Sequence, residues 1–276
     1  MPSRDPTLSM TETGYSPHGP FRRRVNRRLK TIRARSQAAV TRLKGGRVLH
    51  ILHIGKTGGN AIRNGLGIRS KARPAGFPNG LVIQHPHDTT LPMCPVGDSV
   101  AFVVRDPIHR FVSGFWFRFR KGREGLDPWS EGEAQAFAQF TSPDALGRAL
   151  SDPDPDVRSA AEKAMVTIGH VRKTLTRYLV SPEYLRSRQA DILDIGFMER
   201  LPEHFETLSK ALGARDVPGL PNDKHFANRT PDSYPKELSE DATANLRYWY
   251  AEDLRIYAAC REMAGMADAE DHNPSA

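Results

Sequence analysis

Three short stretches of this sequence combine residue types that can hold an anion or move a proton. The first is the run from Gly55 to Asn60, which reads GKTGGN and brings glycines, a lysine and a hydroxyl together. The second contains two histidines, His85 and His87, separated by one proline. The third is the segment from Arg105 to Ser113. Backbone N–H groups next to glycines, together with lysine and arginine cations, are groups that proteins use to bind phosphate or sulfate.

The glycine-rich run lies between a predicted strand and a predicted helix. Residues 48–54 read VLHILHI, an apolar run of strand length, and residues 61–66 suit the opening of a helix. This arrangement indicates an anion cradle, because glycines allow N–H groups to approach oxygens, a helix start carries partial positive charge, and Lys56 carries a full one. The same pattern also fits an ordinary strand-to-helix connection with a surface lysine.

The cradle differs from the Walker A motif of P-loop nucleotide-binding proteins. That motif requires a glycine five residues before Gly55, and this position is His50, inside the predicted strand. The strand therefore runs almost directly into Lys56, which leaves a shorter loop.

The third stretch follows another predicted strand, Ser99–Val104, and Pro107 suits the first turn of the helix after it. Arg105 at the strand's carboxyl end and the Ser113 hydroxyl in the helix can bind a phosphate in the crevice where open α/β sheets bind ligands. Alternatively, Arg105 pairs with Asp106 or caps a neighbouring helix. A strand that holds Mg²⁺ in a P-loop NTPase would end in aspartate, so the arginine argues against that class. The predicted apolar face of the helix contains Phe111, Val112, Phe115, Trp116 and Phe119.

The two histidines directly follow a short predicted strand at residues 81–84. Histidines in such a position can be metal ligands, proton acceptors or structural residues. A zinc site needs three or four ligands, and only Asp88 is close by in sequence, so the pattern does not predict a metal site.

The first and third stretches together resemble two motifs of sulfotransferases that use 3′-phosphoadenosine 5′-phosphosulfate (PAPS). The GKTGGN run resembles the 5′-phosphosulfate loop of the carbohydrate sulfotransferase branch, with Gly55 where that branch usually has proline. The segment from Arg105 to Ser113 matches the 3′-phosphate motif R-D-P-x-x-R-x-x-S. The resemblance implies PAPS as the sulfuryl donor, no metal, and a hydroxyl acceptor on a carbohydrate or glycoconjugate such as a glycolipid.

The resemblance also implies a role for each matching residue. Lys56 would contact the bridging oxygen of the phosphosulfate and act in catalysis, while Arg105 and Ser113 would hold the 3′ phosphate. A loop at residues 222–230 would fold over the nucleotide. The residues that would hold the 5′ phosphate are Lys56, Thr57, Gly58, Gly59 and Asn60.

A histidine between the two motifs is the catalytic base in this branch. His87 fits best, because a strand, a histidine and a hydroxyl-rich segment are its usual context, and His85 is the reserve. In an extended segment the two side chains would point to the same side, so His85 could substitute for His87.

Positive charge is concentrated near the N-terminus, although the whole chain has a formal net charge of +8. Residues 13–87 contain 16 Lys and Arg and no Asp or Glu, whereas residues 88–276 contain 23 against 30. Residues 21–44 read either as a solvated basic arm or as a helix that contacts an anionic membrane surface. Nucleic acid is not expected as a partner, because the arm lacks interleaved aromatic residues. The narrow apolar stripe of the arm consists of Val25, Leu29, Ile32, Ala39 and Leu43.

The sequence predicts three regions. Residues 1–45 are expected to form a disordered or basic amphipathic arm that the chemistry does not need, residues 46–265 the sulfotransferase domain, and residues 266–276 a disordered tail. The chain has no apolar run of membrane-spanning length, no signal-peptide core, and two cysteines that we interpret as reduced thiols. A cytoplasmic location is expected, with peripheral membrane contact through residues 21–44.

The patterns predict an α/β fold with a mostly parallel central sheet flanked by helices, of the P-loop-like sulfotransferase type. Residues 71–80 are predicted to be loop, residues 192–197 a further strand, and residues 239–258 one long terminal helix. The predicted function is transfer of a sulfuryl group to a hydroxyl with a histidine base. The alternatives are a P-loop kinase or NTPase, and a non-catalytic protein that binds an anionic ligand on the same fold.

Overall fold

The computed structural model describes residues 34, 36–68, 75–122, 125, 127–221 and 230–266. Within these residues the chain forms a single five-stranded sheet. Its strands are β1 (Arg47–Leu52), β2 (Ala75–Phe77), β3 (Gly80–Gln84), β4 (Ser99–Val104) and β5 (Ile192–Phe197).

In the described residues one α-helix follows β1, six lie between β4 and β5, and three follow β5. They are α1 (Gly59–Gly65), α2 (Pro107–Phe119), α3 (Glu131–Gln139), α4 (Pro143–Ala149), α5 (Pro155–Thr167), α6 (Leu175–Leu179), α7 (Pro182–Ser187), α8 (Leu201–Leu212), α9 (Glu240–Trp249) and α10 (Ala251–Met263). Short 3₁₀ turns occupy Leu91–Met93, Gln189–Asp191 and Met198–Arg200. Residues 36–43, before β1, are also helical.

The strand order is β2-β3-β1-β4-β5, with β1 in the centre. β1 pairs in parallel with β3 and β4, β4 pairs in parallel with β5, and β2 is antiparallel to β3. The predicted α/β class with a mostly parallel sheet is therefore confirmed. Because the chain moves from β1 to one side and then returns to β4 on the other, the segments that follow these two neighbouring strands meet at a topological switch point.

Helices cover both faces of the sheet, as the alternation along β4 shows. Val100, Phe102 and Val104 are buried against α6, α7 and α10, whereas Ala101 and Val103 are buried against α1 and α8. A further apolar cluster forms between α2, α3, α4, α5 and α9. The predicted apolar face of α2 belongs to this cluster, so α2 is anchored on the side chains expected from its sequence.

Two predicted elements differ from the structure. Residues 75–77, expected in a loop, form β2, because their backbone pairs with the edge of β3. The predicted terminal helix is divided into α9 and α10 at Tyr250, whose buried hydroxyl donates a hydrogen bond to Val171 O at 3.2 Å. Trp249, directly before this break, has 36% of its surface exposed.

The described end of the basic arm packs on the domain. Ala34 and Ala38 are buried in a small cluster with Val48 of β1 and with two side chains of β3. Ala39 and Leu43, which the sequence placed in the apolar stripe, are exposed instead. The predicted boundary after residue 45 therefore does not separate these last turns of the arm from the core.

Several predictions concern residues outside the described ranges. They include Val25, Leu29 and Ile32 of the stripe, residues 222–229 of the expected nucleotide loop, and nearly all of the C-terminal tail. Across the described residues, no helix has both the length and the apolar character required to cross a membrane.

Candidate functional site

The GKTGGN loop follows β1 and makes a sharp turn into α1. Lys56 has φ of 70° and Gly58 has φ of 80°, so two of its residues are left-handed. This conformation is uncommon for a lysine, and such backbone strain concentrates at functional sites. The Thr57 hydroxyl donates a hydrogen bond to Ile54 O at 2.9 Å and is buried. Thr57 is thus available to a ligand mainly through its backbone N–H.

The backbone N–H groups of this loop have no acceptor within the described residues. None of the five groups from Lys56 to Asn60 donates to a carbonyl or to a side chain there, and the Gly58 cap has no side-chain hydrogen bond. The first N–H groups of a helix have no partner within the helix, and such groups can bind an anion. The predicted cradle is formed by Lys56 and this row of donors.

Two glycines of the loop are required by close neighbours. A Cβ at Gly59 would lie 2.3 Å from His53 Cδ2, and a Cβ at Gly55 would lie 3.0 Å from His170 Nδ1. Gly55 is the position at which the sequence departs from the proline of the carbohydrate sulfotransferase loop. A side chain at this position would therefore need the His170 ring to shift by a few tenths of an ångström.

Lys56 lies in a cationic and partly apolar environment. Its Nζ is 4.0 Å from the centre of the Phe117 ring. Burial, and after it the neighbouring cations Arg105 and Arg120, together lower the pKa of Lys56 to about 7. A buried lysine whose protonation is opposed by two neighbouring cations indicates a site suited to negative charge.

Arg105, directly after β4, adds a second cation to the same edge of the sheet. Burial lowers the pKa of Arg105, and the charges of Glu199 and Asp106 only partly oppose this effect. Asp106 does not form an ion pair with Arg105, because its Oδ1 accepts the N–H groups of Ile108 and His109, both at 2.9 Å, at the start of α2. Within the described residues the Arg105 guanidinium has no hydrogen-bond partner.

Ser113 and Arg110, two further polar residues of the third stretch, have different surroundings. Ser113 on α2 is 8% exposed, and within the described residues its hydroxyl makes no hydrogen bond. Arg110 is buried and donates to His170 O at 3.2 Å and to Lys173 O. Arg110 therefore holds the 170–173 segment against α2, and Ser113 is left available for an anion.

His87 is oriented by its backbone and ring contacts. Its Nδ1 lies 3.0 Å from His53 O, and because a carbonyl oxygen can only accept, Nδ1 carries the proton. In neutral His87 the lone pair is then on Nε2, the arrangement that a proton acceptor needs. Tyr178 Oη donates to His87 O at 3.0 Å, and the ring centroid of His53 is 3.8 Å from that of His87.

His85 has different partners. Its Nε2 is 2.8 Å from His50 Nδ1, and His50 Nε2 is 2.8 Å from Asp98 Oδ2. Burial and the nearby His50 lower the pKa of His85 to about 4. The two histidines, predicted to point to the same side, have different neighbours, because His85 contacts His50 whereas His87 contacts His53.

His170 is a site residue that sequence reasoning missed. Its ring lies edge-on to His87 at 5.9 Å and to Phe117 at 4.9 Å, and its buried Nδ1 has no hydrogen-bond partner within the described residues. Burial and the Lys56 cation lower the pKa of His170 to about 2, so it stays neutral. It follows the end of α5 without any motif, and only the structure brings it to Gly55.

The structure thus brings together the cradle, Arg105 and His87 at the carboxyl ends of β1, β4 and β3. His85 was also predicted as a site residue, but its imidazole contacts His50 instead. A groove of about 400 Å³ lies along β5, lined by residues such as Asp194, His204 and Met263, and it contains none of the predicted site residues. No protein-family model matches this chain, and a search of curated proteins gave no match.

Proposed function

We propose that this protein is a PAPS-dependent sulfotransferase of the P-loop-like fold, which transfers a sulfuryl group to a hydroxyl of a carbohydrate or glycoconjugate. The observation that carries the proposal is the convergence of unpaired loop N–H groups, two cations and an oriented histidine at one edge of the sheet. A phosphosulfate needs donors for its charged oxygens and a base for the attacking hydroxyl, and this edge offers both.

The nucleotide would be held through its two phosphate ends. The N–H groups from Lys56 to Asn60 and the Lys56 ammonium suit the 5′ phosphosulfate, and Arg105 and Ser113 suit the 3′ phosphate. Bound PAPS supplies an activated sulfuryl group. The fit rests on donors that lack acceptors within the described chain, since a buried donor without a partner costs about 1–3 kcal/mol unless a ligand satisfies it.

His87 would act on the acceptor. Its Nε2 takes the proton of the acceptor hydroxyl as the hydroxyl oxygen bonds to sulfur, and the bond from sulfur to the bridging oxygen breaks. The negative charge that grows on that leaving oxygen is stabilised by Lys56 and the loop N–H groups, which are already in place. Adenosine 3′,5′-bisphosphate remains on the protein.

The residues after β4 disfavour the kinase and NTPase alternative. Arg105 occupies the position of an Mg²⁺-binding aspartate, and the Oδ1 of Asp106 caps α2. A non-catalytic anion-binding protein would not need the oriented imidazole of His87. Residues 21–44 remain a candidate for contact with an anionic membrane surface.

Calorimetric titration of adenosine 3′,5′-bisphosphate into the full chain, with and without Mg²⁺, tests the proposal. We expect Mg²⁺-independent binding that weakens about 10-fold or more in Arg105→Ala, because a charge-assisted contact is lost. Arg247→Ala is the matched control, since Arg247 is exposed on α9. Unchanged affinity in Arg105→Ala would refute the 3′-phosphate site, and a requirement for Mg²⁺ would favour a kinase or NTPase.

Turnover of labelled PAPS on a panel of glycans and glycolipids then separates an enzyme from a binding protein. Transfer of label to any hydroxyl acceptor supports the proposal. Tight bisphosphate binding without transfer to any class of acceptor would favour the non-catalytic alternative.

A further inference from the structure

A second group of polar side chains lies around His50 of β1, separate from the residues of the cradle. One ring nitrogen of His50, one of His85 and the Cys94 Sγ all lie within 4.8 Å of one another. His50 belongs to β1, His85 follows β3, and Cys94 follows the 3₁₀ turn Leu91–Met93. His50 is 5% exposed and Cys94 is 2% exposed, so the group is largely shielded from water.

The hydrogen bonds around His50 direct a lone pair into this group. Asp98 Oδ2 lies 2.8 Å from His50 Nε2, which therefore carries the proton and leaves Nδ1 as an acceptor. Asp98 is in turn held by Arg42, whose Nε lies 2.7 Å from Oδ1. Burial alone would raise the pKa of Asp98, but the hydrogen bonds from Arg42 and His50 lower it overall. A carboxylate that orients an imidazole in this way is the usual outer partner of a metal-bound histidine.

Cys94 is positioned by its own backbone. Its N–H donates to Leu91 O at 3.0 Å, and its carbonyl accepts from Arg188 Nη2 at 3.1 Å. A direct hydrogen bond between the two imidazoles explains their separation of 2.8 Å but does not explain why a thiol is held beside both. Two imidazole nitrogens and one thiol on three rigid segments form a ligand set that suits zinc.

We propose that His50, His85 and Cys94 bind a zinc ion, with one coordination position left to water or another exogenous ligand. On binding, the Cys94 thiol loses its proton to solvent and the thiolate becomes the ligand. The two nitrogens would have to separate by about half an ångström to accommodate Zn–N distances of about 2.0–2.1 Å in tetrahedral geometry.

This site has a consequence for the candidate active site. His85 becomes a metal ligand, so His87 is left as the base between the two motifs. The ion would connect β1, the end of β3 and the segment that contains Cys94. It takes no part in sulfuryl transfer. The sequence did not predict a metal here, because the three ligands are 35 and 9 residues apart and His50 lies inside an apolar run.

Cobalt titration of the metal-free full chain tests the proposal directly. We expect one Co²⁺ per chain, with the near-ultraviolet charge-transfer band of a thiolate ligand and the intense visible bands of tetrahedral cobalt, and displacement by Zn²⁺. Cys94→Ser should remove the thiolate band and weaken Co²⁺ binding by at least about 10-fold, the lower limit seen when only an outer partner is lost. Cys260→Ser is the matched control, because Cys260 is the other buried free cysteine and belongs to no such ligand group within the described residues.

A second variant keeps the test decisive if Cys94→Ser does not fold. His85→Gln alters a partly exposed side chain, and we expect it to weaken Co²⁺ binding by at least about 10-fold and to reduce the tetrahedral bands. The absence of a thiolate band in the wild-type protein would overturn the proposal. A band that persists in Cys94→Ser, or that disappears in Cys260→Ser, would do the same. None of these readouts depends on PAPS.

Discussion

The direction of each hydrogen bond decides which histidine of the candidate site can accept a proton. His87 donates through Nδ1 to His53 O, which leaves Nε2 as the acceptor. His85 uses Nε2 toward His50. His170 is neutral and enclosed between Gly55 and Phe117. The three imidazoles therefore have three different environments, and only that of His87 suits a general base.

Substitution of the two histidines tests this division. We expect His87→Ala to lower the rate of sulfuryl transfer by about 10²–10⁴ without weakening bisphosphate binding, because the base acts on the acceptor and not on the phosphates. His85→Ala should lose less activity, and the double variant should be inactive. The measurement is PAPS turnover beside bisphosphate calorimetry. Wild-type turnover in the double variant would show that the base lies elsewhere in the chain.

Because the pKa of Lys56 is low, we expect the proposed anion binding to depend on pH. Above about pH 7 Lys56 is largely neutral in the free protein, and a bound phosphate restores its charge, so binding takes up a proton. Affinity for adenosine 3′,5′-bisphosphate should therefore fall as pH rises, by up to about tenfold per pH unit. Calorimetry between about pH 7.5 and 9.5 measures this above the second ionisation of the phosphates, near pH 6.

Lys56→Arg provides the control for this pH dependence. Arginine stays protonated over the whole range, so the slope should disappear even if the affinity changes. A wild-type affinity that does not vary with pH would contradict the assignment of Lys56 to the anion.

At the scale of elements, the helical end of the basic arm contributes to the domain. Arg42 donates to both oxygens of the buried Asp98, and Ala38 covers Val48. The sequence predicted that residues 1–44 could be removed without effect. The contacts of residues 36–43 instead lead us to expect that this deletion lowers the melting temperature.

A single substitution isolates the ion pair from the rest of the arm. Arg42→Ala should reduce the free energy of unfolding by about 1–3 kcal/mol, because Asp98 is left buried without its main cationic partner. Urea unfolding measures the change, and Arg47→Ala is the control, since Arg47 is exposed at the start of β1. Equal stability of the two variants would show that Arg42 does not support the core.

At the scale of the whole molecule, the strands that carry the candidate site could be predicted from the sequence. The distant residues that pack around the site could not. β4 and β5 agree with the predicted runs, because continuous apolar stretches of strand length mark buried parallel strands. The predicted cradle, Arg105 and His87 lie together because each follows a parallel strand. The split of the terminal helix and the positions of His53 and His170 depend on tertiary contacts between distant segments, which no local pattern encodes.

The central position of β1 also has a consequence for how the protein folds. The candidate site exists only when β1 has paired with both β3 and β4, and each pairing must wait for a crossover segment to close. Parallel pairings of this kind form late and slowly. In a partly folded chain the GKTGGN loop would be formed without Arg105 beside it, or Arg105 without the loop. Such a chain would contact only one of the two phosphate ends of the proposed nucleotide. Under the proposed function, tight bisphosphate binding would require the completed sheet, and the ligand would slow the unfolding of the chain more than it speeds folding.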